Sequence, residues 1–223
     1  MDIVLLGLIN QMVIKERERD IWNDSKWKDI KTLESNNVGV IGEQFIQGIC
    51  NAGGIDAQID GATTRERGGG AGDGKIKGRT VEIKCARLGT GQTQSFQHEL
   101  GENPWIADYL CFVDISPNKI YVTIFPNMTE EQYKIVGFRC PYFPSKGITW
   151  RKSKAREDGI RYGGGAFKLD TTLKLNEKQG KVDNPYTFIW SSPEDDEKIS
   201  AFIERIVKTE ETSLETAMNE LTL

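Results

Sequence analysis

The clearest chemical pattern in the first half of the chain is a pair of acids with a lysine: Asp73, Glu82 and Lys84. Residues 75–85 alternate polar and apolar types around a turn near residues 77 and 78, which is typical of a β-hairpin. Alternate side chains of a strand share a face, so we expect Glu82 and Lys84 to point the same way. The hairpin brings Asp73 beside Glu82, and two adjacent carboxylates need a cation.

Magnesium suits such a pair of acids, because this hard ion takes carboxylate and phosphate oxygens while it keeps several waters. A metal ion there would polarise a phosphoryl oxygen and lower the pKa of a bound water. Lys84 would orient that water, or help to deprotonate it, for in-line attack. The pattern therefore predicts phosphodiester hydrolysis with Mg²⁺ as the cofactor.

The motif formed by Asp73 and Glu82-Ile83-Lys84 resembles that of the PD-(D/E)xK nuclease superfamily, to which most type II restriction endonucleases belong. The resemblance covers residues 43–85. It departs from the motif at Gly72, where the name of the motif has proline. In that family an acid on the helix before the hairpin often supports the metal site, and Glu43 matches this acid.

The resemblance implies an α/β (α+β) fold, with a central mixed β-sheet flanked by helices, a restriction-endonuclease-like core and a basic, loop-rich elaboration. It implies a type II site-specific deoxyribonuclease that cuts double-stranded DNA with Mg²⁺ and leaves 5′-phosphate ends. The implied catalytic residues are Asp73, Glu82, Lys84 and Glu43, and the implied metal ligands are Asp73, Glu82 and Ile83.

Two other functions stay open: a repair, recombination or Holliday-junction nuclease with the same core, and a non-catalytic DNA-binding protein. The sequence itself weakens several other classes of enzyme. The chain has one histidine, His98, so nuclease designs that need several histidines cannot be built, and a Ser-His-Asp hydrolase would lack its GxSxG elbow. A Walker GxxxxGK[ST] loop is absent from the sequence.

The charge pattern favours a nucleic-acid partner despite a net charge of -4. Residues 139–181 hold 11 Lys/Arg against four Asp/Glu, whereas residues 186–223 hold three against nine. A basic surface that neutralises phosphates can therefore coexist with an acidic tail. The predicted DNA contacts are Arg65, Arg67, Arg87, Gln94, Gln97, Arg151, Lys152, Lys154, Arg156 and Arg161.

The elements that must position these residues follow from hydrophobic periodicity. An apolar helix is predicted over residues 2–18. Because its apolar run follows an acid, lacks a basic leader and falls short of about 20 residues, we expect a buried helix rather than a signal peptide. A short helix is predicted over residues 25–33. The next helix should end at Gly53 and Gly54, with an apolar side formed by Val40, Ile41, Phe45, Ile46 and Ile49.

After the hairpin, a short helix over residues 95–100 is predicted to carry His98 on its surface. Two strands should follow at residues 109–113 and 119–125, joined by a turn. Further strands are expected within residues 167–175 and at 186–190. Ser192 as N-cap, Pro193 in the first turn and four nearby acids predict a last helix over residues 193–207.

The length of 223 residues suits a single domain. Within it we expect a nuclease core at residues 1–135, a DNA-recognition elaboration at 136–190, and a C-terminal helix with an acidic tail at 191–223. Four widely spaced cysteines without a CxxC pair favour reduced thiols in the cytoplasm over zinc or disulfides. No membrane partner is predicted, and cleavage of both strands at a symmetric site would favour a homodimer.

Overall fold

The computed structural model describes residues 2–60, 72–89, 95–101, 103–135, 137–142, 149–151, 166–172 and 184–209. Its helices are α1 (Asp2–Arg19), α2 (Ser35–Ala52), α3 (Glu130–Lys134) and α4 (Asp196–Ile206), with short 3-10 helices at Lys28–Thr32 and Pro193–Asp195. Its strands are β1 (Ala57–Ile59), β2 (Gly74–Ile76), β3 (Arg79–Arg87), β4 (Ser95–Gly101), β5 (Tyr109–Ile115), β6 (Ile120–Pro126), β7 (Thr149–Arg151), β8 (Ala166–Thr172) and β9 (Thr187–Trp190).

The strands form two sheets. The central sheet has six strands in the order β1-β2-β3-β5-β6-β9, and a second sheet has three in the order β4-β8-β7. In the central sheet β3 and β5 are parallel, whereas the other neighbouring strands are antiparallel. The predicted mixed α/β fold, with a central mixed sheet and flanking helices, is confirmed at this level.

The two faces of the central sheet bury different cores. Val81 and Ile83 of β3 belong to a core that also contains Ile46 of α2 and Ile203 of α4. On the other face, Leu110 and Phe112 of β5 pack in a second core with Phe167 and Leu169 of β8. The parallel register places Glu82 beside Leu110 and Lys84 beside Phe112. Glu82 and Lys84 therefore lie on the face that the second sheet covers.

Helix α2 packs against β3 most closely at Gly42. Its buried residues are Val38, Gly42, Glu43, Ile46, Ile49 and Cys50. The prediction that Val40 and Ile41 belong to the buried side is wrong, since both are exposed. A Cβ at position 42 would lie 2.5 Å from the Cβ of Cys85, so glycine is what lets the helix approach the strand this closely.

Two other elements differ from their predictions. Helix α1 forms, but every side chain from Ile3 to Glu18 is exposed, so the prediction of a buried helix is wrong. Residues 95–100 form strand β4 and not a helix: the buried residues Phe96, His98 and Leu100 alternate with more exposed ones, and Phe96 and His98 pair across to β8. His98 is accordingly a buried strand residue rather than a residue on a helix surface.

The helix predicted over residues 25–33 is only the short 3-10 helix Lys28–Thr32, and the remaining predicted elements form where they were expected. The hairpin β2-β3 turns at Lys77 and Gly78, and β5 pairs antiparallel with β6. Strands β8 and β9 and helix α4 form where strands and a helix were expected. Ser192 occupies the cap position before the 3-10 turn, but its side chain makes no capping hydrogen bond. Among the helices that the structure describes, none is long and apolar enough to cross a membrane.

Candidate active site

Asp73 is held at the start of β2 by the strand that carries the rest of the motif. Its main-chain N–H donates to the carbonyl oxygen of Val81 at 2.8 Å, and its Oδ2 accepts a hydrogen bond from the N–H of Ile83 at 2.7 Å. The carboxylate is almost fully buried, with a relative exposure of 4%. The hairpin thus brings Asp73 directly against the Glu82-Ile83-Lys84 segment.

The backbone around Asp73 explains the departure from the motif at Gly72. The φ of Gly72 is 92°, a value that proline, whose φ is fixed near -65°, cannot adopt. A Cβ at this position would also lie 2.5 Å from the carbonyl oxygen of Val81. In this hairpin, glycine is therefore required at the position where the name of the motif has proline.

Ile83 could contribute to a metal site only through its main-chain carbonyl. In a strand the N–H and C=O of one residue point to the same side. The N–H of Ile83 points toward Asp73, and β2 pairs with β3 only as far as Val81. The carbonyl of Ile83 consequently faces the same edge of β3 as the carboxylate of Asp73.

Glu82 and Lys84 form an ion pair through Oε1 and Nζ on the second-sheet face of β3. Both side chains are about one-fifth to one-quarter exposed, at 21% and 24%, so solvent reaches them. Tyr133 lies near this pair: burial, followed by the charges of Cys140 and Glu82, raises the pKa of its hydroxyl. The hydroxyl donates to the Oδ1 of Asn127 at 2.9 Å, which holds it as a neutral group.

Glu43 lines the same groove as Lys84. It is 8% exposed and lines an open groove of about 490 Å³ that runs between α2, β3 and β4. The first turn of α2 contributes Ser35 and Asn36 to this groove. The charged or polar side chains from the rest of its lining are Glu43, Lys84, Gln97, His98, Glu99 and Lys168. Lys84 therefore belongs both to the motif near Asp73 and to the lining of this groove, whose volume is typical of a binding site.

The oxygen donors at this edge of β3 decide which metal ion the site could hold. No three His, Cys, Asp or Glu side chains gather into a metal-binding group in the described part of the chain. The oxygen donors of the motif are the carboxylate of Asp73, which accepts from the N–H of Ile83, the main-chain carbonyl of Ile83, and the carboxylate of Glu82 one residue earlier on β3. Two carboxylates and a carbonyl are the donor chemistry that Mg²⁺ takes, with water and phosphate oxygens as its other ligands. The donor set therefore fits this cofactor.

A buried histidine–aspartate pair lies beneath the groove. The Nε2 of His98 is 2.8 Å from the Oδ1 of Asp114, and both side chains are at most 1% exposed. The imidazole also stacks on Phe112, with ring centroids 4.4 Å apart. Because Phe112 is the register neighbour of Lys84, this pair links β4 of the second sheet to the strands that carry the candidate site.

The predicted DNA contacts are described only in part. Gln97 is exposed and lines the groove, and Arg87 donates a hydrogen bond to the carbonyl oxygen of Ile30 at 2.6 Å. Arg151 ends strand β7, where the main chain alone is described. The other predicted contacts lie outside the described residues: Arg65, Arg67, Gln94, Lys152, Lys154, Arg156 and Arg161.

Lys168 is a groove residue that the sequence pattern did not single out. It lies on β8 between the buried residues Phe167 and Leu169, and its Nζ is 3.7 Å from the Oε2 of Glu99 on the neighbouring strand. The alternation of apolar and polar residues in β8 is the signal that could have identified it. Its partner strand β4 was expected to be a helix, so the groove between β4 and α2 was not anticipated.

Comparison with known proteins adds no further constraint. No protein-family model matches the chain, and no curated protein or solved structure is significantly similar to it.

Proposed function

We propose that the chain is a Mg²⁺-dependent endonuclease that hydrolyses double-stranded DNA at specific sites, as type II restriction enzymes do, and leaves 5′-phosphate ends. In this proposal the central sheet and α2 form a restriction-endonuclease-like core. Asp73, Glu82 and Lys84 are the catalytic residues and Glu43 supports them. The observation that carries the proposal is the hydrogen bond between Asp73 and the N–H of Ile83, which places one acid of the motif against the strand segment that bears the other two motif residues.

The oxygen donors at the edge of β3 would hold the metal: the carboxylates of Asp73 and Glu82 and the carbonyl of Ile83. When bound, Mg²⁺ supplies Lewis-acid polarisation of the phosphoryl oxygen and lowers the pKa of a bound water. Glu82 is paired with Lys84. In the reactive state we expect Lys84 to leave Glu82 and to bind the scissile phosphate or the attacking water.

The groove beside Lys84 supports an anionic substrate. The first turn of α2 lines it, and the N-terminus of a helix of this length carries a partial positive charge and free N–H groups that favour phosphate. Lys84 and Lys168 add two cations from β3 and β8. Glu43 and Glu99 add negative charge to the same groove, so a bound cation would favour the approach of a polyanion.

The direct test is cleavage of linear double-stranded DNA of known sequence by the full chain with Mg²⁺, followed by sequencing of the fragment ends. We expect discrete fragments with 5′-phosphates and no cleavage in EDTA. Lys84→Ala should reduce the single-turnover rate by a factor on the order of 100 or more. Lys75→Ala is the matched control, because Lys75 lies on the same hairpin and is exposed, outside the site.

Three results would separate the proposal from its rivals. Cleavage of a four-way junction but not of linear duplex would indicate a repair or recombination nuclease. Specific binding without cleavage at any Mg²⁺ concentration would indicate a DNA-binding protein. Equal loss of activity in Lys75→Ala and Lys84→Ala would remove the assigned site from the reaction.

A further inference from the structure

Helix α1 is an apolar element that the rest of the described chain does not cover. Its 18 residues extend over about 27 Å. All its described side chains from Ile3 to Glu18 are exposed, and Asp20 begins the turn that joins it to the folded body. Elsewhere in the described chain, the exposed large apolar residues are Val40, Ile41, Ile106 and Ile135. The apolar surface is thus concentrated on one helix.

Six of its side chains form one continuous face. With about 100° of rotation per residue, positions 5, 6, 8, 9, 12 and 13 fall within one half of the helix. Gly7, Asn10 and Gln11 fall on the other half, together with Ile3, Val4 and Ile14 near the two ends of the apolar run. The six are 40–58% exposed: Leu5, Leu6, Leu8, Ile9, Met12 and Val13. Their combined patch is on the order of several hundred Å², the size that marks an interaction site on a soluble protein.

We infer that this face binds the same face of a second copy of the chain, as an antiparallel pair of α1 helices related by a two-fold axis. The first argument is the symmetry of the apolar residues about the middle of the helix. Within the six-residue face, Leu5 corresponds to Met12, and Leu8 to Ile9, about the point between residues 8 and 9. A two-fold antiparallel pair therefore sets these apolar side chains beside one another.

The second argument is charge. The N-terminal turn of α1 carries Asp2, whereas residues 15–19 carry three basic and two acidic side chains, Lys15, Arg17 and Arg19 against Glu16 and Glu18. In antiparallel packing, Asp2 of one copy lies beside the net positive end of the other copy, and the two helix dipoles run in opposite directions, which is favourable. Parallel packing would place like ends together. The pair of patches together approaches the lower limit of about 1,000 Å² for a specific interface.

The test is the mass of the full chain in solution, by sedimentation across a concentration series. We expect twice the monomer mass, and the double substitution Leu8→Glu with Ile9→Glu should raise the dissociation constant on the order of 100-fold or more, because it buries carboxylates in an apolar contact. Ile135→Glu is the matched control, since Ile135 is 56% exposed and lies on neither α1 nor the candidate site. It should leave the dimer intact.

A monomer at all concentrations would overturn the inference, and so would a dimer that the double substitution leaves unchanged. Binding of the monomer to phosphatidylcholine–phosphatidylserine vesicles through α1 would overturn it as well and would assign the face to a lipid surface. Because the measurement is mass, failure of the proposed nuclease activity would leave the result untouched, and failure of dimerisation would leave the cleavage assay untouched.

A cysteine experiment tests the orientation and does not depend on the glutamate variants folding. In the antiparallel pair centred between residues 8 and 9, Leu5 lies beside Met12 of the second copy. Leu5 of the two copies would be displaced by about 10 Å along the axis, too far for a disulfide. A mixture of Leu5→Cys and Met12→Cys chains should therefore cross-link on mild oxidation, and Leu5→Cys alone should not. Efficient cross-linking of Leu5→Cys alone would overturn the antiparallel arrangement.

Discussion

The contact between α2 and β3 gives the sharpest prediction about stability. Gly42 lies where a Cβ would come 2.5 Å from the Cβ and 2.9 Å from the Sγ of Cys85. The Cβ of Cys85 is fixed to the strand and cannot rotate away, so Gly42→Ala must push the helix off β3. On the same helix, a Cβ at Gly48 would meet nothing within 4 Å. Gly48→Ala is therefore a control with the same chemical change and no clash.

The two variants isolate the packing contribution. Both gain helix propensity of about 0.5–1 kcal/mol, because alanine loses less backbone entropy than glycine in a helix interior. Only Gly42→Ala also overpacks the contact, which destabilises by about 1–3 kcal/mol. Since the propensity gain cancels in the comparison, Gly42→Ala should be less stable than Gly48→Ala by about 1–3 kcal/mol. For a chain of this length that difference lowers Tm by about 2–12 °C.

The measurement is urea unfolding and a thermal scan of the wild type and both variants, with Tm and the free energy of unfolding compared. Gly48→Ala should unfold slightly above the wild type. If Gly42→Ala unfolds at or above Gly48→Ala, then α2 does not approach β3 this closely, and the position of Glu43 in the groove that Lys84 also lines must be revised.

Three further predictions concern the site and its support. Asp73→Asn keeps an oxygen to accept from the N–H of Ile83 but removes the anionic ligand, so half-maximal cleavage should need more Mg²⁺; an unchanged metal titration would exclude Asp73 as a ligand. His98→Ala removes one partner of a buried pair and should lower the free energy of unfolding by about 2–5 kcal/mol. If urea unfolding shows a decrease of less than about 1 kcal/mol, the pair does not stabilise the fold. Replacing four cations together, Arg151, Lys152, Lys154 and Arg156, should reduce the slope of the logarithm of the DNA-binding constant against log salt by up to about 0.9 units per residue. An unchanged slope would exclude these residues as phosphate contacts.

Local signals in the sequence were enough to predict the hairpin and its neighbours. The β2-β3 turn needs only Lys77 and Gly78 in positive φ between two alternating runs, and its partners are adjacent in the chain. The β5-β6 pair is local for the same reason. Local pattern also predicts that Glu82 and Lys84 share one face of β3, and the register places both on the second-sheet side.

Elements that depend on distant partners were predicted less well. Strand β4 pairs with β8, which comes about 70 residues later, and Gln97, Glu99 and Leu100 are residues that favour helices in isolation. The pairing across to β8 overrides that preference and buries Phe96 and His98. Three β4 residues, Gln97, His98 and Glu99, line the groove beside Lys84, so the groove depends on this distant pairing.

Residue type identified the buried side of α2 only in part: Ile46 and Ile49 are buried as predicted, but Val40 and Ile41 are not. Ile46 and Ile49 pack in the core with Val81 and Ile83 of β3, and the closest approach of the helix to the strand is at Gly42. Val40 and Ile41 are the larger apolar residues, yet the rotation of the helix that admits Gly42 against Cys85 leaves them exposed. The close fit of Gly42 against Cys85, together with the burial of Ile46 and Ile49, is consistent with the orientation of the helix and the place of Glu43.

The glycines on either side of Asp73 show how a site can be encoded by the residues next to it. Gly72 adopts positive φ and passes the carbonyl of Val81, and a Cβ at Gly74 would lie 2.3 Å from the carbonyl oxygen of Gln58 on β1. The main chain passes very close to β3 at Gly72 and to β1 at Gly74, so a residue with a Cβ does not fit at either position. This crowding fixes the main chain of Asp73 against β3 and directs its carboxylate to the N–H of Ile83. The sequence Gly-Asp-Gly before a Glu-x-Lys strand thus carries geometric information that the spacing of the three charged residues alone does not.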